Sequence, residues 1–450
     1  MKNEDTNSHV RRERQVLLAL VRAGLWEREP VETVDLALSD EGWNNVYRLA
    51  RQQTVTGLAF EGLRHWPERL CPPEPLLLRW AAEADAIERG NRKMDQALTQ
   101  LYAAFRQEGL APVLQKGQGA ARHYAKPQAR VCGDIDLYFP TPQAGESARL
   151  YLWLNLTRVD RQADGSLHYR WQGVDVEHHP RLLDVHNPFL RRFVRQLEEE
   201  KGYSQFALAA SPDAPISVPS PFQELLSLNL HILKHALGRG IGLRQLCDMA
   251  RACYRLCPEV DAREMERVCR KMGLTHWCAL LHAFLRDCLG LPAACLPYAA
   301  TASTAQPLAD IVWRGGNFGQ YDDFLLTRAT GWRRKRQTAL SFGRNLRFAF
   351  RYAPKEAFWF FLQLMKNEMT QLQYYRVAGF LLSVSLPAGK DADSLLPSFR
   401  PFRVGEEERG DVLFRCSAKS AAEAPCLSGK TLLEETDNDM GHLRLYAVAG

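Results

Sequence analysis

The stretch Gly133-Asp-Ile-Asp-Leu-Tyr138 alternates carboxylates with apolar side chains. Because residues two apart on a strand point to the same side of a sheet, Asp134 and Asp136 project together while the apolar residues between them can enter a core. Two carboxylates on one face repel each other, so a fold that keeps them usually supplies a cation between them. The stretch therefore predicts a strand of a small sheet that carries a cation site on one face.

Two neighbouring segments add groups that suit a triphosphate. Upstream, Leu114-Gln-Lys-Gly-Gln-Gly119 predicts a strand that ends in a glycine turn into a helix. Such a turn offers backbone N–H groups and a positive helix end to phosphate, and Lys116 adds a positive charge. Downstream, Val174-Asp-Val-Glu-His-His179 predicts another strand with Asp175 and Glu177 on one face. That strand delivers a third carboxylate, as a two-metal site requires.

The bulk composition is that of a globular protein with more than one domain. The 450 residues are 46% hydrophobic and 24% charged, and a net charge of +6 is too small to indicate nucleic-acid binding. No apolar run approaches the roughly 18 residues of a membrane span, and the N-terminus lacks the apolar core of a signal peptide. Eleven cysteines without a CxxC pair, together with the lack of an export signal, predict a cytoplasmic protein.

The spacing of apolar residues and the local composition divide the chain into four parts. Residues 1–108 and 219–386 carry apolar positions at helical spacing, whereas 109–218 mixes short strands and helices. From residue 387 onward the composition shifts toward Ser, Pro, Glu and Asp, with short strand-like runs. We therefore expect an α+β, predominantly helical fold. A small mixed-sheet core at 109–218 is flanked by helical regions, and 387–450 forms a linker with a short β element or the opening of a truncated extra domain.

The order of these motifs resembles a family of bacterial nucleotidyltransferases in the DNA polymerase β-like superfamily. The resemblance extends in order from about residue 10 to residue 385. It rests on Lys116-Gly117, Tyr124, Pro127, Arg130, Asp134-Ile-Asp-Leu137, Val176-Glu-His-His179, Leu230-His-Ile-Leu-Lys-His235 and Leu243-Arg-Gln-Leu-Cys-Asp248. Two positions depart from the pattern. Gln118 stands where the superfamily more often has Gly or Ser, and His178 stands where the family has a hydrophobic residue.

The resemblance implies a nucleotidyltransferase core with three acidic residues at its centre. Asp134, Asp136 and Glu177 would be the catalytic residues and the metal ligands, and Asp175 is the alternative third carboxylate. Mg²⁺ is the implied cofactor, with two ions expected and Mn²⁺ as the alternative metal. Such ions steady the attacking oxygen and the leaving pyrophosphate.

The resemblance also implies the nucleotide-binding residues and the reaction. Lys116, Gly117 and Gly119 would bind phosphates, and Arg130 would either neutralise phosphate or brace the acidic pair. The reaction would transfer a nucleoside monophosphate from a nucleoside triphosphate, with ATP expected, to a hydroxyl acceptor. The acceptor would be a small molecule, a sugar or a protein.

Five polar residues near these motifs have two interpretations each. His231 and His235 are spaced i, i+4 and either pack beside the cleft or form a metal pair that needs a third ligand. Arg244 and Asp248 have the same spacing and either stabilise their helix or place Arg244 on a nucleotide phosphate. His179 either orients substrate or caps the sheet edge.

Two other functional classes fit the same residues. One is a catalytically inactive nucleotide-binding or interaction module, which the Gly117-Gln118 turn favours. The other is a hydrolase or a toxin–antitoxin component on the same fold.

Two further segments have simpler explanations than a functional site. The segment Ala424-Pro-Cys-Leu-Ser-Gly-Lys-Thr431 matches a permissive phosphate-loop pattern without a preceding apolar strand, so we expect a chance match. The basic stretch 333–351 predicts a helix with a solvated basic face.

Overall fold

The protein is described by a computed structural model whose chain divides into two compact units, Met1–Met365 and Lys366–Gly450. The predicted boundaries at residues 108 and 218 both fall inside the first unit. Residues 333–339 of the basic stretch and residues 424–430 of the phosphate-loop-like segment lie outside the described residues. The structure describes residues 2–30, 37–162, 165–208, 211–300, 302–316, 340, 343–368, 370–377, 380–387, 397–404, 412–417, 431–438 and 441–447.

A mixed seven-stranded sheet lies at the centre of the first unit, as the sequence predicts. Its strand order is β3-β4-β5-β2-β1-β7-β6. β2 pairs in parallel with β5, and β1 pairs in parallel with β7, whereas the other neighbouring strands are antiparallel. The strands are β1 (Val113–Gln115), β2 (Ile135–Tyr138), β3 (Val159–Arg161), β4 (Leu167–Trp171), β5 (Val174–His179), β6 (Tyr203–Leu208) and β7 (Ser211–Pro219).

Two of the helices in the first part of the chain, α4 (Glu74–Gln107) and α6 (Pro142–Asn155), cover one face of the sheet. Ile135 and Leu137 of β2 are fully buried there against Leu98 and Phe105 of α4 and Leu152 of α6. This is the core-facing side that the alternation of the strand predicts. The helices are α1 (Lys2–Trp26), α2 (Asp40–Gln52), α3 (Thr56–Leu63), α4 (Glu74–Gln107), α5 (Gly117–Ala121), α6 (Pro142–Asn155) and α7 (Arg191–Lys201).

The helices that follow the sheet share one core with the N-terminal helices. Leu17 and Leu20 of α1 are fully buried in the same cluster as Leu226 of α8, Leu246 of α9 and Leu281 of α11. The two helical regions that flank the sheet in sequence are therefore one body in space. The later helices are α8 (Pro221–Leu237), α9 (Leu243–Leu256), α10 (Ala262–Met272), α11 (Thr275–Asp287), α12 (Gln306–Gly315), α13 (Leu346–Tyr352) and α14 (Pro354–Glu368).

The second unit is rich in strands, and its first two strands correct the predicted extent of the helical region. β8 (Thr370–Val377) and β9 (Phe380–Pro387) pair in antiparallel orientation, although the sequence predicts a helical region up to residue 386. Their aromatic and β-branched side chains favour a pleated strand. The sheet order is β10-β8-β9-β11, beside a separate antiparallel pair. The remaining strands are β10 (Arg403–Val404), β11 (Val412–Ser417), β12 (Thr431–Asn438) and β13 (Gly441–Ala447).

Among the described residues, no helix combines the length and the apolar character that crossing a membrane requires.

Helix α3 lies close to the backbone of Ala129, which precedes β2, and this contact can be tested. A Cβ on Gly57 would overlap the carbonyl oxygen of Ala129. Overpacking of this kind costs 1–3 kcal/mol, so we predict that Gly57→Ala lowers the free energy of unfolding by about 2 kcal/mol. Urea unfolding followed by circular dichroism measures the change.

The matched control is Gly90→Ala, in the interior of α4. A Cβ there meets nothing within 4 Å. Alanine favours a helix interior over glycine, so this variant is expected to gain about 0.5–1 kcal/mol. Equal effects of the two substitutions would contradict the close approach of α3.

Candidate active site

Four neighbouring strands bring polar side chains into one row across the sheet. Gln115 of β1 is directly opposite Asp136 of β2, Asp136 is level with Glu177 of β5, and Glu177 is opposite His168 of β4. Residues that are paired across strands share a face of the sheet. The row therefore lies on the side of the sheet that α4 and α6 do not cover.

Asp136, Glu177 and His179 form the tightest group in this row. The Nε2 atom of His179 lies 2.5 Å from Oδ1 of Asp136, and its Nδ1 atom lies 3.5 Å from Oε1 of Glu177. One ligand atom from each residue falls within 4.8 Å of the others. Among the described residues, this is the one group of His, Cys, Asp or Glu that meets the spacing. Two carboxylates and an imidazole are ligand types that divalent cations accept.

Asp134 lies immediately before β2 and is not a member of that three-residue group. The negative charge of Asp136, burial and the charge of Glu177 together raise the pKa of Asp134 to about 6. The charges of Asp136 and Glu177 therefore both act on Asp134, and the three carboxylates interact electrostatically in this part of the sheet.

Asp136 and Glu177 are held in their ionised forms by basic neighbours. Burial opposes ionisation of Asp136, but Lys116 and the hydrogen bond from His179 outweigh it and lower its pKa. The Nζ atom of Lys116 lies 3.9 Å from Oδ1 of Asp136 and 3.3 Å from Nε2 of His179. Burial likewise opposes ionisation of Glu177, and the hydrogen bond from His168 and the charge of His179 lower its pKa.

The glycine turn approaches the acidic residues closely. Lys116 has φ +47° and Gly117 has φ +32°, both in the region that glycine favours. A Cβ on Gly117 would lie 3.0 Å from the carbonyl oxygen of Asp134 and 3.6 Å from Oδ2 of Asp136. The missing side chain therefore leaves room beside the carboxylates. Gly119, by contrast, packs against the backbone of Leu114, so it is placed away from the acidic cluster.

The structure corrects the prediction that Arg130 binds nucleotide phosphate. Its Nε and Nη2 atoms donate to the two carboxylate oxygens of Asp248, both at 2.7 Å. Its Nη1 atom donates to Sγ of Cys132 at 2.9 Å, and the Tyr124 hydroxyl donates to Asp248 at 2.8 Å. Arg130 and Asp248 are 6% and 3% exposed, so the pair is buried. The guanidinium of Arg130 is therefore engaged by Asp248, so that Arg130 links the segment before β2 to α9.

Arg244 and the two α8 histidines border the cluster. Arg244 donates from Nη1 to the carbonyl oxygen of Val131 at 2.9 Å, and the charge of Asp134 acts on it. The rings of His231 and His235 are 4.5 Å apart between centroids. Burial and the charge of Lys116 lower the pKa of His231, and burial lowers that of His235 to about 3. Both histidines are therefore neutral, they lie within the electrostatic reach of Lys116, and neither belongs to the described metal-ligand group.

Asp175 lies on the same face of β5 as Glu177 but at its exposed end. Its Oδ1 atom accepts a hydrogen bond from Nε of Arg170 at 2.7 Å, and its side chain is 61% exposed. The register of β5 thus brings Glu177, and not the alternative Asp175, level with Asp136.

Two residues of the row were missed by the sequence analysis. Gln115 and His168 reach the site only because β1 and β4 flank the acidic strands. A single sequence carries no signal for that pairing, since strand order depends on contacts between distant segments.

The raised pKa of Asp134 predicts a pH-dependent effect on stability. The protonated carboxyl favours the folded state, so its contribution is complete below the unfolded pKa near 3.9 and is lost as pH rises through about 6. We predict that Asp134→Asn raises the free energy of unfolding by about 2 kcal/mol at pH 8, after allowance for solvent screening. At pH 4 the two proteins should unfold alike. Urea titrations at both pH values in metal-free buffer measure this, and a gain of equal size at pH 4 would contradict it.

The buried pair of Arg130 and Asp248 yields a second test. Removing one partner of a buried ion pair leaves an uncompensated charge and costs about 3–5 kcal/mol, and we predict a loss in this range for Asp248→Asn. The control, Asp175→Asn, changes an exposed pair and should leave the unfolding midpoint unchanged. Urea unfolding distinguishes them, and a similar small effect for both would mean that Arg130 finds another partner.

Comparison with known proteins agrees with this geometry. The model of a family described as an uncharacterised nucleotidyltransferase matches residues 39–290, which is more than half of the chain and includes every residue of the row and its borders. No curated protein and no solved structure matches the chain significantly. The family resemblance is confirmed, and the chain belongs to this uncharacterised nucleotidyltransferase family.

Proposed function

We propose that the protein transfers a nucleoside monophosphate from a nucleoside triphosphate to a hydroxyl acceptor. The family indicates a nucleotidyltransferase, and such an enzyme takes a nucleoside triphosphate. The observation that carries the specific proposal is the convergence of Asp136, Glu177 and His179 beside the Lys116-Gly117 turn. ATP is the proposed nucleotide.

The donor set fits the divalent cation that such a reaction uses. Asp136 and Glu177 are ionised, and their charges raise the pKa of Asp134, so a cation among the three would be stabilised by all of them. We propose Mg²⁺ held by Asp134, Asp136 and Glu177, with two ions in the complete site. His179 adds a nitrogen ligand type that Mn²⁺ accepts more readily than Mg²⁺ does. When bound, these ions neutralise the triphosphate and lower the pKa of the attacking hydroxyl.

The protein's own residues position the reacting groups. Lys116 supplies a charge for the phosphate oxygens, and Gly117 leaves space for them next to Asp136. The acceptor oxygen bonds to the α-phosphorus while the bond to the β-phosphate oxygen breaks, which releases pyrophosphate. The hydroxyl proton passes to solvent beside the ionised Glu177, whose negative charge favours its loss. His179 orients Asp136 through their 2.5 Å contact.

The inactive-module alternative rested on the Gly117-Gln118 turn. The side chain of Gln118 is directed away from the acidic cluster, because its Nε2 atom contacts Sδ of Met94 on α4 at 2.6 Å. Gln118 therefore does not fill the space beside Gly117. This orientation supports the catalytic proposal over the inactive one.

The test is nucleotide transfer measured with α-labelled triphosphates and a panel of hydroxyl acceptors, together with pyrophosphate release. We expect Asp136→Asn and Glu177→Gln each to lose activity by about 10²-fold or more, because each removes charge stabilisation that acts in the transition state. Chelation of divalent metal should abolish activity, and added Mg²⁺ should restore it.

The matched control is Asp175→Asn, which changes a carboxylate on the same face of the same strand but outside the cluster. It should retain wild-type activity. Pyrophosphate release that survives in Asp134→Asn/Asp136→Asn would overturn the site. The absence of labelling by every triphosphate, in wild type and variants alike, would favour a nucleotide-binding module.

A further inference from the structure

Gln115 carries a buried amide group that no described part of the protein satisfies. The residue is 2% exposed. Among the described residues, neither its Nε2 nor its Oε1 atom has a hydrogen-bond partner. Native proteins leave few buried polar groups unpaired, because each such group forfeits its bonds to water. An apolar residue at the end of β1 would avoid this cost, so the amide points to a ligand.

The position of Gln115 places that amide at the proposed active site. Gln115 is directly opposite Asp136 in the antiparallel pairing of β1 and β2. Opposite residues share a sheet face and lie about 5 Å apart between Cβ atoms. The next residue along the chain is Lys116, at the start of the glycine turn. The Gln115 side chain therefore shares the sheet face of the acidic cluster and directly precedes the proposed phosphate turn in sequence.

The neighbouring Gln118 is buried in different surroundings. Gln118 is 6% exposed, and its Nε2 atom contacts the sulfur of Met94 in the helix-facing core, whereas its Oε1 atom has no hydrogen-bond partner among the described residues. Gln115 belongs instead to the polar row that Asp136 and Glu177 continue across the sheet. The two glutamines thus lie on either side of the Lys116-Gly117 turn in sequence, and their side chains have different surroundings.

The hydrogen-bonding groups of the amide limit which chemical group of a ligand can satisfy it. A primary amide offers both donors and an acceptor. Phosphate oxygens only accept, and a cation would use only the carbonyl oxygen, so each would leave one half of the amide unpaired. A hydroxyl group both donates and accepts. In a nucleoside triphosphate the ribose, with its neighbouring 2′ and 3′ hydroxyls, adjoins the α-phosphate, whereas the base lies one sugar further away.

Resting on the nucleotidyl transfer proposed above, we propose that Gln115 binds the ribose hydroxyls of the nucleoside triphosphate and makes the protein discriminate against deoxynucleotides. Gln115 is then a specificity-determining residue. A site built to bond a hydroxyl rejects the analogue that lacks it, because the buried partner is left unpaired.

The proposal also predicts how unliganded protein responds to substitution. Gln115→Met keeps the length of the side chain and removes an amide that bonds to nothing in the described protein, so the melting temperature should stay the same or rise. The matched control is Gln223→Met. Gln223 is fully buried, its Nε2 atom donates to the carbonyl oxygen of Glu198 at 2.8 Å, and its Oε1 atom accepts from the backbone N–H of Ser220 at 3.4 Å. This control should lose several degrees, since it breaks two bonds.

The experiment uses the full chain with Mg²⁺ or Mn²⁺. Binding of ATP, GTP, CTP and UTP is measured by calorimetry, and the tightest is compared with its 2′-deoxy and 3′-deoxy forms. We expect wild type to bind the ribonucleotide about tenfold or more tightly than at least one deoxy form, the scale of one lost hydrogen bond. Gln115→Met should bind all three forms alike, at the affinity of wild type for the weaker deoxy form.

Each contrary result has a distinct meaning. If Gln115→Met still binds the ribonucleotide more tightly than the deoxy forms, the role of Gln115 is overturned. The same holds if the wild type does not distinguish them. Neither result affects the proposed function. An equal loss of affinity for all three forms would assign the amide to the base or a phosphate and overturn the ribose contact. A loss of melting temperature as large as that of Gln223→Met would mean that the amide has a structural partner, which also overturns it. A wild-type protein that binds no triphosphate overturns the proposed function and this inference together.

Discussion

The parallel pairing of β2 with β5 brings Asp136 level with Glu177, and the site depends on this contact. Like charges on adjacent strands repel, and basic groups around the two carboxylates offset that repulsion. Lys116, His168 and His179 supply them, and each lowers the pKa of one or both carboxylates. Asp134 shows what repulsion does where this support is weaker, because its pKa is raised to about 6.

Helices that follow the sheet hold the segments next to the acidic cluster through buried ion pairs. Asp248 of α9 holds Arg130, which precedes the acidic strand, through two bonds. Glu224 of α8 pairs with Arg122 and with His123, which follow the glycine turn. Buried pairs add little net stability over apolar packing, but breaking one is costly, so they are suited to setting a unique arrangement. The two segments that frame the acidic cluster are thus each tied to a different helix.

Much of the candidate site could be predicted from local pattern. The alternation in residues 133–138 predicts which side chains of β2 share a face, because strand periodicity is a property of the backbone. The glycine residues of the segment 114–119 predict the turn after β1, where Gly117 has a positive φ and leaves space that a Cβ would take. Arg130 was misassigned because its partner, Asp248, lies 118 residues away in sequence. The strands β8 and β9 were misassigned because their apolar residues fit helical and strand spacing alike, and the antiparallel pairing of the two strands decided between them.

The sequence by itself therefore determined the α+β class, the alternation of Asp134 and Asp136, and the glycine turn before them. These follow from backbone geometry and from residues close together in the chain. Only the tertiary structure decided that Glu177 and not Asp175 lies beside Asp136, that His179 joins them, and that Gln115 ends the row. Strand order and register are set by packing between distant segments, and local periodicity does not encode which strands become neighbours.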